Sequence, residues 1–224
     1  MKTIKALVSK DLYEYYNRFS KSAGTMLFLM AIPVVLIYFV GISISLVGDS
    51  ELYKEIIIII YILILYCETT LFQVYKDVKE GVYERLFINR YVKSWEIFAS
   101  KFLSNLVYTT LAFVVLVLLN GVASTFIKID SPLIITSRLV LSIPGACLIG
   151  TGVAFINSLI ISNEKNSFTY GISVCGIYLG FFNIMDWLLI TNYFIQQLLL
   201  VIVGIAIAAL VVLLLSNNKF IRRK

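Results

Sequence analysis

Residues 194–215 read FIQQLLLVIVGIAIAALVVLLL, and this stretch decides the class of fold. It carries no charge, and it is about as long as a helix must be to cross the roughly 30 Å hydrocarbon layer of a bilayer. Comparable apolar runs lie near 25–47, 56–75, 97–122, 139–161 and 168–182. The sequence therefore predicts an all-α integral membrane protein with six transmembrane helices.

The composition of the whole chain agrees with this prediction. Hydrophobic residues make up 60% of the 224 positions and charged residues 14%, with a mean hydropathy of +0.92. Soluble domains carry about 25% charged residues, so this chain has too few to cover a soluble core. We expect membrane lipid to surround most of it. No linker is long enough to separate two domains, which predicts a single transmembrane domain over 1–224.

The distribution of basic residues predicts the orientation in the membrane. With the N-terminus in the cytoplasm, 16 of the 19 lysine and arginine residues fall on the cytoplasmic side. Such an asymmetry is the usual signal for membrane insertion. It predicts a multi-pass protein of the cell membrane with both termini cytoplasmic, the second being a basic tail at 216–224. The net charge of +6 is then an insertion signal, and no nucleic acid partner is expected.

The first 22 residues differ from the rest of the chain. Ile4, Leu7, Val8 and Leu12 recur at helical spacing, with lysines mostly off this stripe. The pattern favours a basic amphipathic helix lying in the membrane interface, ahead of a six-helix membrane domain at 25–215. A plain cytosolic lead-in helix is the alternative.

The longest polar stretch follows the second predicted span, at 76–95. Val82 and Leu86 share a face at i, i+4 spacing, and Gly81 can start or break a helix. The charged side chains that point elsewhere are Glu84, Arg85 and Arg90. This pattern predicts a short amphipathic helix at the cytoplasmic surface. A soluble partner could bind such a helix, or the helix could lie at the membrane interface without binding a partner.

This loop resembles one in the permeases of type-2 ATP-binding-cassette exporters. Between their second and third spans these carry E-x-G-T-x-E-x-L, then T-S-P-V-S-R, then W/x-E-L-L-x-G-K. Here residues 80–86 read EGVYERL, 89–94 read NRYVKS and 95–101 read WEIFASK. The matching positions are Gly81, Glu84, Leu86, Val92, Glu96 and Lys101. The chain departs from the pattern at Tyr91, where the family has proline, and at Ser100, where it has glycine.

The resemblance implies that the loop helix is a coupling helix, which docks on a separate ATPase and is braced by the N-terminal helix. It also implies a second permease copy or paralogue as partner. No G-x-x-x-x-G-K-[ST] occurs in the sequence, so ATP and Mg are expected on the partner ATPase and no cofactor in this chain. The candidate coupling residues are Glu80, Gly81, Glu84, Arg85, Leu86 and Arg90.

Three further features inside or beside the predicted spans are candidates for function. Glu68 lies in the second span and faces either a pathway or dimer contact, or the headgroups if that helix extends outward. Gly176 and Gly180 form G-x-x-x-G, typical of close helix packing. Asp186 and Trp187 could line an outer gate, although an interfacial aromatic anchor is the simpler interpretation.

The function that these expectations favour is the permease subunit of an ATP-driven exporter of a peptide, antibiotic or lipid-like substrate. The alternatives are a substrate-binding membrane component of an importer, or a secondary transporter. An enzyme is not expected, because the chain has no histidine and no Asp-rich metal motif.

Overall fold

The computed structural model describes residues 2–19, 73–88, 92–127, 137–160 and 192–217, together with 173–189 except 175, 178–179, 182 and 186. Several predictions lie outside the described residues. They are the first span, nearly all of the second, Glu68, Arg90, Asp186 and most of the basic tail.

The described part of the chain consists of helices and the turns that join them, without a strand, which confirms the all-α class. Residues 73–79 are helical, and 173–189 contain short helical pieces. The five longer elements are α1 (Lys2–Phe19), α2 (Val82–Ile88), α3 (Ser94–Ile127), α4 (Ser137–Ile160) and α5 (Tyr193–Ser216).

Two of the described helices are long and apolar enough to cross a membrane, at Val140–Leu159 and Tyr193–Ser216. Helix α3 has 34 residues and extends past the predicted span at 97–122 in both directions. It starts early because the Glu96 carboxylate accepts a hydrogen bond from the Lys93 backbone N–H at 2.9 Å, which caps the first turn. The count of six spans stays a prediction.

Helices α3 and α4 run antiparallel and meet through small polar side chains. The Asn105 amide donates to the Thr151 hydroxyl at 3.1 Å, and the Cys147 thiol lies 3.4 Å from the Thr109 hydroxyl. The residue numbers therefore increase in opposite directions along the two helices, as they do in an antiparallel pair. A polar contact between buried helices must be satisfied within the protein, and these pairs satisfy one another.

Helices α4 and α5 run parallel, and glycines bring them close together. A Cβ added to Gly145 would lie 3.0 Å from Leu200 Cδ2, and one added to Gly204 would lie 2.7 Å from Leu148 Cβ. Gly204 has no space for a side chain, and at Gly145 the Leu200 side chain would have to shift to admit one, so the close packing depends on these glycines. Because the two helices are parallel, α5 begins at the end of the bundle opposite to the end where α4 stops.

Helix α4 is central and α5 peripheral. Within their candidate membrane spans, 67% of the α4 residues are buried against 22% of the α5 residues. The outer face of α5 presents large apolar side chains, and one face of α3 does the same. They include Leu103, Val107, Leu111, Leu118, Leu198, Ile202, Ile205 and Leu213. Such rows of exposed apolar residues are expected where lipid is the solvent.

The apolar core is concentrated where α3 begins and α4 and α5 end. Its buried members are Val74, Tyr83, Val92, Ile97, Phe98, Phe155, Leu159, Val211 and Leu215. At the same end the Ser216 hydroxyl meets that of Ser94 at 3.1 Å. Helix α1 packs on the first turns of α3, so α1 and α2 share this end of the bundle.

Candidate functional site

The turn before α2 is built around Gly81. The helical segment at 73–79 ends there, with the Glu80 N–H donating to the Lys76 carbonyl at 2.9 Å and the Gly81 N–H to the Val78 carbonyl at 3.2 Å. Gly81 has φ +65°, a left-handed conformation that glycine adopts without a Cβ penalty. Its own carbonyl accepts from the Arg85 N–H at 3.1 Å and so opens α2. One residue ends one helix and starts the next.

Helix α2 fixes one face to the bundle and presents the other. Tyr83 is 3% exposed and belongs to the apolar core, and Leu86 packs against that core while half-buried. Arg85 is exposed, and its guanidinium donates to the Glu80 carbonyl at 2.6 Å. Glu80 is exposed and Glu84 half-buried. The predicted short helix is therefore present at Val82–Ile88, but Tyr83 is its main anchor, and Val82 and Leu86 are secondary.

Beneath α2 lies a buried ionic cluster of Lys10, Asp11, Asp77 and Lys101. The Lys101 ammonium bridges the two aspartates, 2.6 Å from Asp11 Oδ1 and 2.8 Å from Asp77 Oδ2. Lys10 adds a bond of 3.0 Å to Asp77 Oδ1. The side chains of Lys101, Asp11 and Asp77 are at most 4% exposed. The four charges sum to zero, which is the condition under which charges are tolerated in a protein interior.

Hydrogen bonds extend the cluster along α3 and back to the helical segment at 73–79. The Asp11 carbonyl accepts from the Gln73 amide and from the Tyr108 hydroxyl, each at 3.2 Å. The Ser104 hydroxyl lies 3.4 Å from Asp11 Oδ2. At the solvent edge, Glu14 pairs with Lys10 at 3.4 Å. Through the cluster, α1 is bound both to α3 and to the segment that carries α2.

The two buried aspartates have opposite pKa shifts. Burial raises the pKa of Asp77, but the charges of Lys101 and Lys10 overcome this and hold the pKa below its ordinary value. Burial likewise raises the pKa of Asp11, and Lys101 opposes the effect only in part, so that pKa stays above its ordinary value. Burial lowers the pKa of Lys10, and the attraction of Asp77 outweighs it and leaves the pKa raised. Asp77 is thus the fixed anion, and Asp11 is the one more readily protonated.

The structure brings together most of the predicted coupling residues. Glu80, Gly81, Glu84, Arg85 and Leu86 form one turn and the helix that follows it. Their role in coupling stays a prediction.

Sequence reasoning missed Asp11 and Tyr83. A signal for Asp11 was present, because it lies four residues after Leu7 on α1, and Leu7 also packs against the core. A charge four positions from a leucine of the predicted apolar stripe lies on the same helix face, which indicates that it has a partner there. The family pattern includes Lys101, but it does not indicate that Lys101 pairs with Asp77.

The other candidate residues lie apart from this site. A Cβ on Gly176 or Gly180 would meet nothing within 4 Å, so these glycines do not mediate close packing with the rest of the described chain. Trp187 is 81% exposed in the turn that leads to α5. A gate or an interfacial anchor at this tryptophan stays a prediction.

The ionic cluster attaches α1, α3 and the helical segment at 73–79 to one another. Every charge of the cluster is paired, and among the described residues there is no group of three or more His, Cys, Asp and Glu side chains that could hold a metal ion. No family model, curated protein or solved structure matches the chain.

Proposed function

We propose that this protein is the permease subunit of an ATP-driven exporter, with α2 as the helix that receives the ATPase. The observation that carries the proposal is the two-sided character of α2. Tyr83 and Leu86 hold its inner face against the core, while Arg85 is exposed on the other side, as is Glu80 in the turn before the helix. A helix attached on one face and charged on the other suits transmission of force from a soluble partner.

The buried ionic cluster supports the same proposal. A surface helix that only decorates a loop needs no buried ion pairs beneath it, since such pairs add little net stability. Here Lys101 and Asp77 tie the segment before α2 to α3, and Asp11 adds α1. Force applied to α2 would therefore reach three elements together. This matches what the family resemblance implies for a coupling helix braced by an N-terminal helix.

The proposed setting is the cell membrane, with six spans and both termini in the cytoplasm. The two candidate membrane-spanning helices and the exposed apolar faces of α3 and α5 support a lipid environment. The excess of lysine and arginine on one side supports the orientation. In this orientation α1, α2 and the ionic cluster face the cytoplasm, where an ATPase subunit that binds ATP and Mg would reach them.

Two such permeases, or one with a paralogue, would pair above two ATPases. Closure of the ATPases on ATP would tilt α2 and open a path between the permeases. A peptide, antibiotic or lipid-like substrate is favoured, because the outer links between the predicted spans are too short to hold a large domain. A substrate-binding component of an importer, or a secondary transporter, is the competing function, and neither requires an ATPase-docking helix like α2.

The test begins with purification of the tagged protein from native membranes under gentle solubilisation. We expect a partner with a Walker A motif at one ATPase per permease. Reversal of charge in Glu84→Lys and Arg85→Glu should reduce its recovery at least about tenfold, because charge-assisted contacts at an interface centre contribute strongly to binding.

Lys5→Glu is the matched control. It reverses an exposed charge on α1, outside α2, and should leave recovery of the ATPase unchanged. Absence of any ATPase from the wild-type preparation, under conditions that preserve a known transporter complex, would refute the proposed function. Normal recovery with both α2 variants would refute the assignment of α2.

A further inference from the structure

Tyr83 of α2 reaches the central helix, α4. Its ring packs against Phe155 of α4 with the ring centroids 6.2 Å apart and the planes 30° apart. Phe155 in turn packs against Phe98 of α3 at 5.8 Å and 35°. Phe155 is completely buried, so this contact is made in the interior. A short row of three aromatic rings therefore joins α2, α4 and α3.

The other end of Tyr83 reaches the ionic cluster. Its hydroxyl is buried beside the Asp77 carboxylate, and burial together with that negative charge raises the tyrosine pKa. The hydroxyl forms no well-aligned hydrogen bond with the described residues. It borders a small cavity with room for about one water molecule, lined also by Asp11, Asp77, Ser100 and Lys101. Tyr83 thus lies between the charges that hold α1 and the rings that lead to α4.

We propose that Tyr83 is a positioning residue that transmits movement of α2 to the central helix α4 through its ring contact with Phe155. The proposal rests on the proposed function, since it needs an ATPase that moves α2. The physical reason is that close-packed aromatic rings in a buried core cannot separate without opening a void. A displacement of α2 therefore carries Phe155 with it, and α4 is packed closely against α5 through Gly145 and Gly204.

The reactivity of the Cys147 thiol on α4 can report movement of that helix, and the measurement does not require the substrate to be known. Cys147 is buried, and its thiol lies against Thr109 of α3, so a shift of α4 relative to α3 would change its reactivity. Substitutions Cys67→Ser and Cys175→Ser leave it as the single cysteine of the chain. The measurement is the rate at which N-ethylmaleimide labels Cys147 in the permease–ATPase complex, without nucleotide and with ATP and vanadate.

We expect nucleotide to change the labelling rate at least about fivefold in the single-cysteine protein, the lower end of typical allosteric coupling. Tyr83→Leu should abolish this change in the complex that is purified with its ATPase bound. Tyr83→Phe keeps the ring and should keep the change. Tyr13→Leu is the matched control, since it removes an aromatic ring that is 66% exposed on α1, and it should behave as wild type.

The outcomes separate this inference from the proposed function. If Tyr83→Leu retains the nucleotide-dependent change, or the wild-type complex shows none, the role of Tyr83 is wrong although the ATPase still binds. If Tyr83→Leu does not fold, Phe155→Leu tests the same contact from α4 and should abolish the change. If no ATPase is recovered with the wild type, the proposed function fails and this inference fails with it.

Discussion

At the scale of single residues, Lys101 has the largest predicted effect on stability. Lys101→Met keeps the length of the side chain but leaves Asp11 and Asp77 buried beside each other without a cation between them. Removal of one partner from a buried ion pair typically costs about 3–5 kcal/mol. We expect a loss of that order in the free energy of unfolding, measured by denaturation of the detergent-solubilised protein. Lys93→Met, at an exposed position next to α3, should change it by less than about 0.5 kcal/mol.

The opposite pKa shifts of the two aspartates predict opposite dependences of stability on pH. A carboxyl group whose folded pKa is raised stabilises the protein below its unfolded pKa, about 3.9, and this contribution is lost as the pH rises through the folded value. The stability of the wild type relative to Asp11→Asn should therefore fall as the pH rises above about 4.

Asp77→Asn tests the other aspartate. The folded pKa of Asp77 is lowered, so its own contribution is present above about pH 3.9 and is lost only at lower pH. The Asp77 charge also contributes to the raised pKa of Asp11, so above about pH 4 the stability of Asp77→Asn should fall less with rising pH than that of the wild type. Parallel pH profiles of these two proteins would contradict the assignment of Asp77 as the fixed anion and Asp11 as the protonatable one.

At the scale of elements, the turn at Gly81 determines where α2 lies. Gly81→Ala meets no close atom, since the nearest is Glu84 Oε2 at 3.8 Å from the added Cβ, so the penalty is conformational. A left-handed residue with a Cβ costs about 1–2 kcal/mol. We expect a destabilisation of that size, together with weaker recovery of the ATPase because α2 is displaced. Both are measured on the same purified preparation.

Gly121→Ala provides the comparison for that variant. Gly121 lies within α3, is exposed, and has open space around it. Alanine is the better helix former by up to about 1 kcal/mol, so this substitution should be neutral or slightly stabilising. If both glycine variants behave alike, the left-handed conformation of Gly81 does not determine the position of α2.

At the scale of the whole molecule, the parallel packing of α4 and α5 predicts the path of the intervening chain. Helix α4 ends and α5 begins at opposite ends of the bundle, and the fifth span that the sequence predicts at 168–182 would connect them. Reporters fused after residue 165 and after residue 190 should lie on opposite sides of the membrane. Green fluorescent protein should fluoresce after 165, and alkaline phosphatase should be active after 190. Activity of the same reporter at both positions would contradict this topology.

The sequence alone predicted the elements, because each of them leaves a local pattern. The apolar runs place α4 and α5 within two residues of their observed ends. Gly81 and the i, i+4 spacing of Val82 and Leu86 indicate a short helix in the loop at 76–95, and the structure places it at Val82–Ile88. Hydrophobic length and periodicity depend on neighbouring residues only, so they can be read without a fold.

Only the tertiary structure decided how the polar residues pair. Asp11 and Lys101 are 90 positions apart, and their contact depends on the crossing of α1 and α3, which no local pattern contains. The same holds for Tyr83 on Phe155, and for the parallel glycine contacts of α4 with α5. A charged or aromatic residue in the sequence indicates that its side chain will need a partner in the folded protein. Which partner it has is set by the packing of helices far apart in the chain.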